Sequence, residues 1–160
     1  MKNKNQEELS QLKNKIRLNY SNIKSAYCPA LDSRVIFNSD GFHHLCYDNN
    51  RSERSVLVQR NKLNAFKNVV KILSKTTTIQ EYRSSLCSIG KEDRHGLSLA
   101  KFVEWFGFWA IINLSKKVRI KIVVRRIGQA NGQYHFWSVM PFWQQNKDFR
   151  NIGSNSLIND

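Results

Sequence analysis

Two neighbouring stretches decide how this chain reads: KKVRIKIVVRRIG, from Lys116 to Gly128, and GQYHFWSVMPFW, from Gly132 to Trp143. Both are rich in β-branched and aromatic residues, and GQANG between them has turn chemistry. They predict a β-hairpin. Side chains alternate across a strand, so Val118, Ile120, Ile122 and Val124 share one face and Arg119, Lys121, Val123 and Arg125 the other. The first face is core. The second is too cationic to bury and is expected to meet solvent or a ligand. With Ile127 opposite Gln133, Arg125 lies opposite His135 and Val123 opposite Trp137. The open face then carries Arg119, Lys121, Arg125, His135 and Trp137. If the two lysines make a two-residue turn, Ser115 opposes Val118 and Glu104 joins that face.

Working outward, FVEWFGFWAIINL (102–114) supplies a preceding strand and an antiparallel meander. Leu9, Leu12, Ile16, Tyr20, Ile23 and Tyr27 keep a spacing of three to four, which predicts a helix from Glu7 to Tyr27. Arg34–Asn38 reads as a short strand. The Asp-Gly pair of NSDG marks a turn, and a short helix with His43 and His44 follows it. Residues Arg51–Lys75 read as helix, with Leu63, Phe66, Val69, Val70 and Leu73 on one face and a possible junction near Arg60–Lys62. TTTIQEYR (76–83) reads as a strand and SSLCSIGKEDRHGLSL (84–99) as a polar loop. The expected fold class is α+β, with N-terminal helices packed on one face of a small antiparallel sheet. Residues 1–27 are a helix that is part of, or appended to, one domain over 28–143, and 144–160 form a polar tail.

Lys and Arg number 26 against 12 Asp and Glu, a formal net charge of +14 on 160 residues. Such a field attracts polyanions and makes their binding salt-dependent. Nucleic acid and an anionic membrane surface are the natural partners, and charge of this size favours nucleic acid. The longest apolar run contains Glu104 and is too short to span a bilayer. Cys28, Cys46 and Cys87 are three, well separated, and without a C-x-x-C pattern, which suits reduced thiols in the cytoplasm. No apolar segment near Met1 suggests a secretory signal.

An uncovered sheet face with cations and rings suits RNA, because phosphates meet the cations and bases stack on the rings. Metal-free RNA cleavage needs a base for the 2′-hydroxyl, an acid for the leaving 5′-oxygen, and cations for the phosphorane. Imidazole suits the first two roles and guanidinium the third. His43, His44 and His135 supply the imidazoles, Arg125 and Arg126 the guanidiniums, and Glu104 is an alternative base. Trp137 or Trp105 would stack a base, and Arg54 and Lys62 add cations for the strand. His95 lies in a polar loop as a bystander. No H-E-x-x-H, D-x-D, P-loop or G-x-G-x-x-G pattern occurs, so neither metal nor cofactor is expected.

Taken in order, GFHHL, TTTIQEYR, VEWFGFWAIINLSKKVRIKIVVRRIG and YHFWSVMP resemble the phage- and plasmid-associated nucleases of the barnase–EndoU–colicin–RelE superfamily, over Asp40 to Trp143. The resemblance implies a four-stranded antiparallel sheet, a metal-independent RNase site and a toxin or phage-conflict role. It maps the His-Leu histidine to His44, the acid of V-E-x-W to Glu104, the basic strand end to Arg125 and Arg126, and the last motif to His135 and Ser138. The additional His43 and the Gly107 between Trp105 and Trp109 depart from the pattern. Which of His43 and His44 enters the site stays open. So does the choice between His135 and Ser138, which a regular strand would set on opposite faces. A non-catalytic RNA- or DNA-binding protein using the same face is the alternative. An acidic antitoxin or immunity protein is a further expected partner.

Overall fold

The computed structural model describes residues 4–113 and 117–143. Four α-helices and six strands occupy them. They run α1 (Lys4–Asn22), β1 (Ser25–Cys28), β2 (Ser33–Ile36), α2 (Ser39–Cys46), α3 (Val56–Phe66), α4 (Val69–Leu73), β3 (Glu81–Ile89), β4 (Leu99–Asn113), β5 (Lys117–Ile127) and β6 (Tyr134–Trp143). The expected tail beyond Gln144 lies outside the described residues. The strands form one sheet in the order β1-β2-β6-β5-β4-β3. The α+β class is as expected, but the sheet is mixed: β2 pairs parallel with β6 through Val35–Tyr134 and Ile36–His135.

The helices cover one face. Leu9, Ile16 and Tyr20 of α1, Leu45 of α2, Leu63 and Phe66 of α3, and Val69 and Leu73 of α4 pack on Phe106, Phe108, Ile120, Ile122, Val124, Phe136 and Val139. Helix α1 therefore belongs to this core. Tyr20 sits among Phe37, Phe66 and Phe136, and its hydroxyl donates to the Asn38 carbonyl at 2.7 Å. Burial pushes that phenol far above its usual range.

Several local expectations give way to tertiary contacts. The apolar spacing continues to Tyr27, yet α1 stops at Asn22. Ala26 and Cys28 alternate inward instead, on a strand that pairs with β2. The β2 strand ends at Ile36, two residues early, where the chain turns into α2. The long helical segment breaks at Lys67–Asn68, not near Arg60. The third strand starts at Glu81 and runs to Ile89, into the first part of the segment read as a loop, because its polar residues sit on an edge with alternate exposure.

The β5–β6 hairpin confirms Arg125 opposite His135. Gly128 there has φ 90°, and a Cβ on Gly132 would lie 2.0 Å from the Ile127 carbonyl oxygen, so both turn positions need glycine. Farther along, the register shifts: Val124 opposes Phe136 but Val123 opposes Ser138, which leaves Trp137 as a bulge. On the other side Ile112, not Ser115, opposes Val118. This shift of three residues reverses the expected face of β4.

Helix α2 is pinned at one point. A Cβ on Gly41 would come within 2.5 Å of the Tyr20 hydroxyl and 2.6 Å of the Phe136 carbonyl oxygen. Helix propensity alone favours alanine over glycine by about 1 kcal/mol. Overpacking against backbone outweighs it. Gly41→Ala is expected to lower stability by about 2 kcal/mol, read as a fall in the urea midpoint at unchanged m-value.

Candidate functional site

Arg125 is the centre of a group on the sheet face opposite the core row of β5, which side chains of α2 also reach. Its neighbours across the strands are Trp105 on β4 and His135 on β6. Its guanidinium carbon lies 3.6 Å from the Trp137 ring centroid, and the His44 ring lies 3.8 Å from that same ring. Asp40 closes the group with a carboxylate 3.6 Å from Arg125. Asp40 and His44 stand four residues apart on α2, one helical turn, so both reach the same side. Asn38 fixes the start of this helix by accepting from the Gly41 amide at 3.2 Å. His43 points elsewhere: it is exposed and stacks on Tyr47 at 4.4 Å. Between the two imidazoles, the fold turns His44 inward.

This face is not the open one that alternation predicted. Val103, Trp105 and Val123 are buried there, with Cys87, Ile89, Ile127, Trp137 and Met140 packed on them. Arg125 keeps 16% of its side chain exposed and Lys121 only 1%. Aromatic rings and counter-charges make the burial tolerable. Lys121 pairs with Glu81 at 2.6 Å, and the Trp109 ring lies 3.9 Å from the Arg119 guanidinium and 5.2 Å from the Lys121 amine. Trp137 already contacts both Arg125 and His44, so its ring fixes those two groups instead of offering a free face to a base. Trp105 is 5% exposed and is no stacking platform either.

The electrostatics suit an anion. The Trp105 Nε1, Trp137 Nε1 and Arg125 Nε groups are buried donors, and no acceptor among the described residues reaches them. Burial holds the Arg125 pKa below the usual arginine range, with Asp40 opposing it; the group stays charged. The His135 pKa is lowered, first by burial, while hydrogen bonding to the Gln133 backbone opposes this and the Arg125 charge adds to it. His135 is half-buried and neutral at neutral pH.

The remaining expected residues lie apart. Ser138 does share the side of His135, because the bulge lies between them, but it is fully buried. It accepts from Lys62 Nζ at 2.9 Å, and Lys62 also donates to the Val139 carbonyl at 3.2 Å. Lys62 is thus a buried clamp on β6, not a surface cation. Arg54 donates to the Tyr47 carbonyl at 3.0 Å, in the segment between α2 and α3. Glu104 faces the opposite side of the sheet with Arg126. There the carboxylate accepts from Arg126 Nε at 2.6 Å and the Tyr82 hydroxyl at 2.8 Å, while Arg126 donates to the Tyr134 hydroxyl at 2.9 Å. The Arg126 hydrogen bond holds the Glu104 pKa below its ordinary value, which makes it a poor base. Asp40 was missed from the sequence, although its i, i+4 relation to His44 was a usable signal. No three His, Cys, Asp or Glu gather as metal ligands among the described residues, and no described helix is long and apolar enough to cross a membrane.

No family model, curated protein or solved structure matches this chain.

The lowered pKa of Glu104 has a sign. The ion pair stabilises the fold above the ordinary value of 4.5, and that stabilisation is lost as pH falls through the lowered folded value. Glu104→Gln is expected to cost about 2 kcal/mol at pH 7 and to flatten the loss of stability below pH 4.5, both read from urea unfolding at several pH values.

Proposed function

We propose that this chain is a metal-independent endoribonuclease of the toxin-like or phage-conflict kind, working from the face centred on Arg125. One observation carries the reading: a guanidinium with buried N–H donors around it stands directly beside one imidazole and, across the Trp137 ring, close to a second. A net charge of +14 supports a polyanionic partner such as RNA. The resemblance to the barnase–EndoU–colicin–RelE nucleases supports the same assignment for His44, Arg125 and His135.

In this mechanism the neutral His135 imidazole takes the proton of the 2′-hydroxyl. The 2′-oxygen attacks phosphorus, the bond to the 5′-oxygen breaks, and Arg125 balances the charge that builds on the phosphorane. His44 gives its proton to the leaving 5′-oxygen. The products are a 2′,3′-cyclic phosphate and a 5′-hydroxyl. Asp40 orients Arg125, and Trp137 sets the spacing between guanidinium and imidazole.

A second reading has its own support. His44 is 6% exposed, closed in against Trp137, and a group this enclosed suits packing as well as proton transfer. On that reading the face binds RNA or DNA without cutting it.

The decisive experiment incubates purified protein with RNA in EDTA, beside His135→Ala and Arg125→Ala. The parent is expected to cleave and His135→Ala to lose about 10² to 10⁴ of the rate while still binding RNA. RNA bound but uncut by the parent would favour the binding reading, and cleavage abolished by EDTA would overturn the mechanism. The pH profile adds a signed check. The base works only when neutral, and its folded pKa lies below the ordinary 6.5, so the acid limb of kcat/KM is expected below pH 6.5. A limb above that value would exclude His135 as the base.

A further inference from the structure

A cleft of about 610 Å³ lies between α4 and the end of β4, well away from Arg125 along the sheet. It opens just before β3 begins. Glu81, the first residue of β3, opposes Gly107, so residues 109–113 of β4 have β5 on one side and the segment 76–80 on the other. Gln80 bridges the start of this gap: its amide donates to the Gly107 carbonyl at 3.2 Å, and its side chain accepts from the Trp109 amide at 3.3 Å. Alternation along the strand then aims the backbone N–H and C=O groups of Ile111 and Asn113 to that same side. Lys71 and Lys75, four residues apart and both exposed, stand over the gap with the hydroxyl-bearing run Thr76–Thr78. Among the described residues the lining contains no Asp or Glu.

Trp109 lines the cleft, and its ring meets the exposed Arg119 at 3.9 Å. Arg119, Lys121 and Arg125 occupy one face of β5, a row of about 20 Å at the usual rise per residue. Lys121 is buried against Glu81, so Arg119 is the exposed cation of this row, and it marks a track of several nucleotides between the cleft and Arg125.

We propose that this cleft is a second phosphate-binding subsite, which holds single-stranded RNA several nucleotides from the bond at Arg125. The inference rests on the nuclease reading for the polarity of the track, and on the cleft's own cations and strand-edge amides for its chemistry. An acidic peptide would use the open strand edge but not the hydroxyls and ring beside it, so RNA is the better fit.

The test is fluorescence anisotropy with uncleavable 2′-O-methyl RNA probes of about four and about twelve nucleotides. The double variant Lys71→Ala, Lys75→Ala touches only exposed side chains. It is expected to weaken the long probe and leave the short one unchanged. Its log–log salt slope for the long probe should shrink by about 1.4, from about 0.7 per phosphate contact on single strands. Arg125→Ala is expected to weaken both probes. An unchanged long-probe Kd and slope in the lysine variant would overturn the subsite while leaving the nuclease reading intact. Parent protein that binds neither probe would overturn the RNA reading itself. Binding of an acidic peptide that RNA does not displace, lost in the lysine variant, would assign the cleft to a protein partner instead.

Discussion

The bulge at Trp137 sets the structure of the site and of the core beneath it. Phe136 and Val139 are three residues apart, and a regular strand would send them to opposite faces. Both are fully buried on the helix side, where Phe136 opposes Val124 and Val139 opposes Ile122. Burying two such side chains is worth about 1.5–3 kcal/mol each, more than a local break in the ladder costs. The additional residue is the one that turns toward Arg125 and His44. A packing constraint on the core thus delivers the aromatic spacer of the candidate site, which accords with the frequency of bulges beside functional sites.

The cationic face follows a different economy. Three basic side chains on one face of β5 ought to be solvated, and two of them are largely withdrawn from water. Each has its own arrangement. Lys121 has a carboxylate at contact distance, while Arg125 lies against an indole and near the exposed Asp40. The guanidinium is weakly hydrated and planar, so ring contact offsets much of its desolvation. What remains unsatisfied is a set of N–H donors, and such donors favour an anionic visitor over a cation or an apolar ligand.

Much of this was legible in the residues. The β-rich stretches, the turn glycines and the short helix after Asp-Gly carry local signals, and these placed the meander, the pairing of Arg125 with His135, and α2 with its two histidines. Less local features were not. Glu104 changed faces because three residues of register separate the expected β4–β5 pairing from the real one. Lys62 looked like a surface cation because nothing near it in sequence announces the edge of β6.

By itself the sequence determined the α+β class, the strong positive charge and the alternation that separates the core row of β5 from its basic row. These depend on composition and short-range periodicity, which each segment carries alone. The tertiary structure decided the parallel β2–β6 pairing, the strand made of polar residues at Glu81–Ile89, the inward turn of His44 and the bulge at Trp137. Those outcomes depend on which distant side chains compete for the same buried space, and that competition exists only once helices and sheet have met.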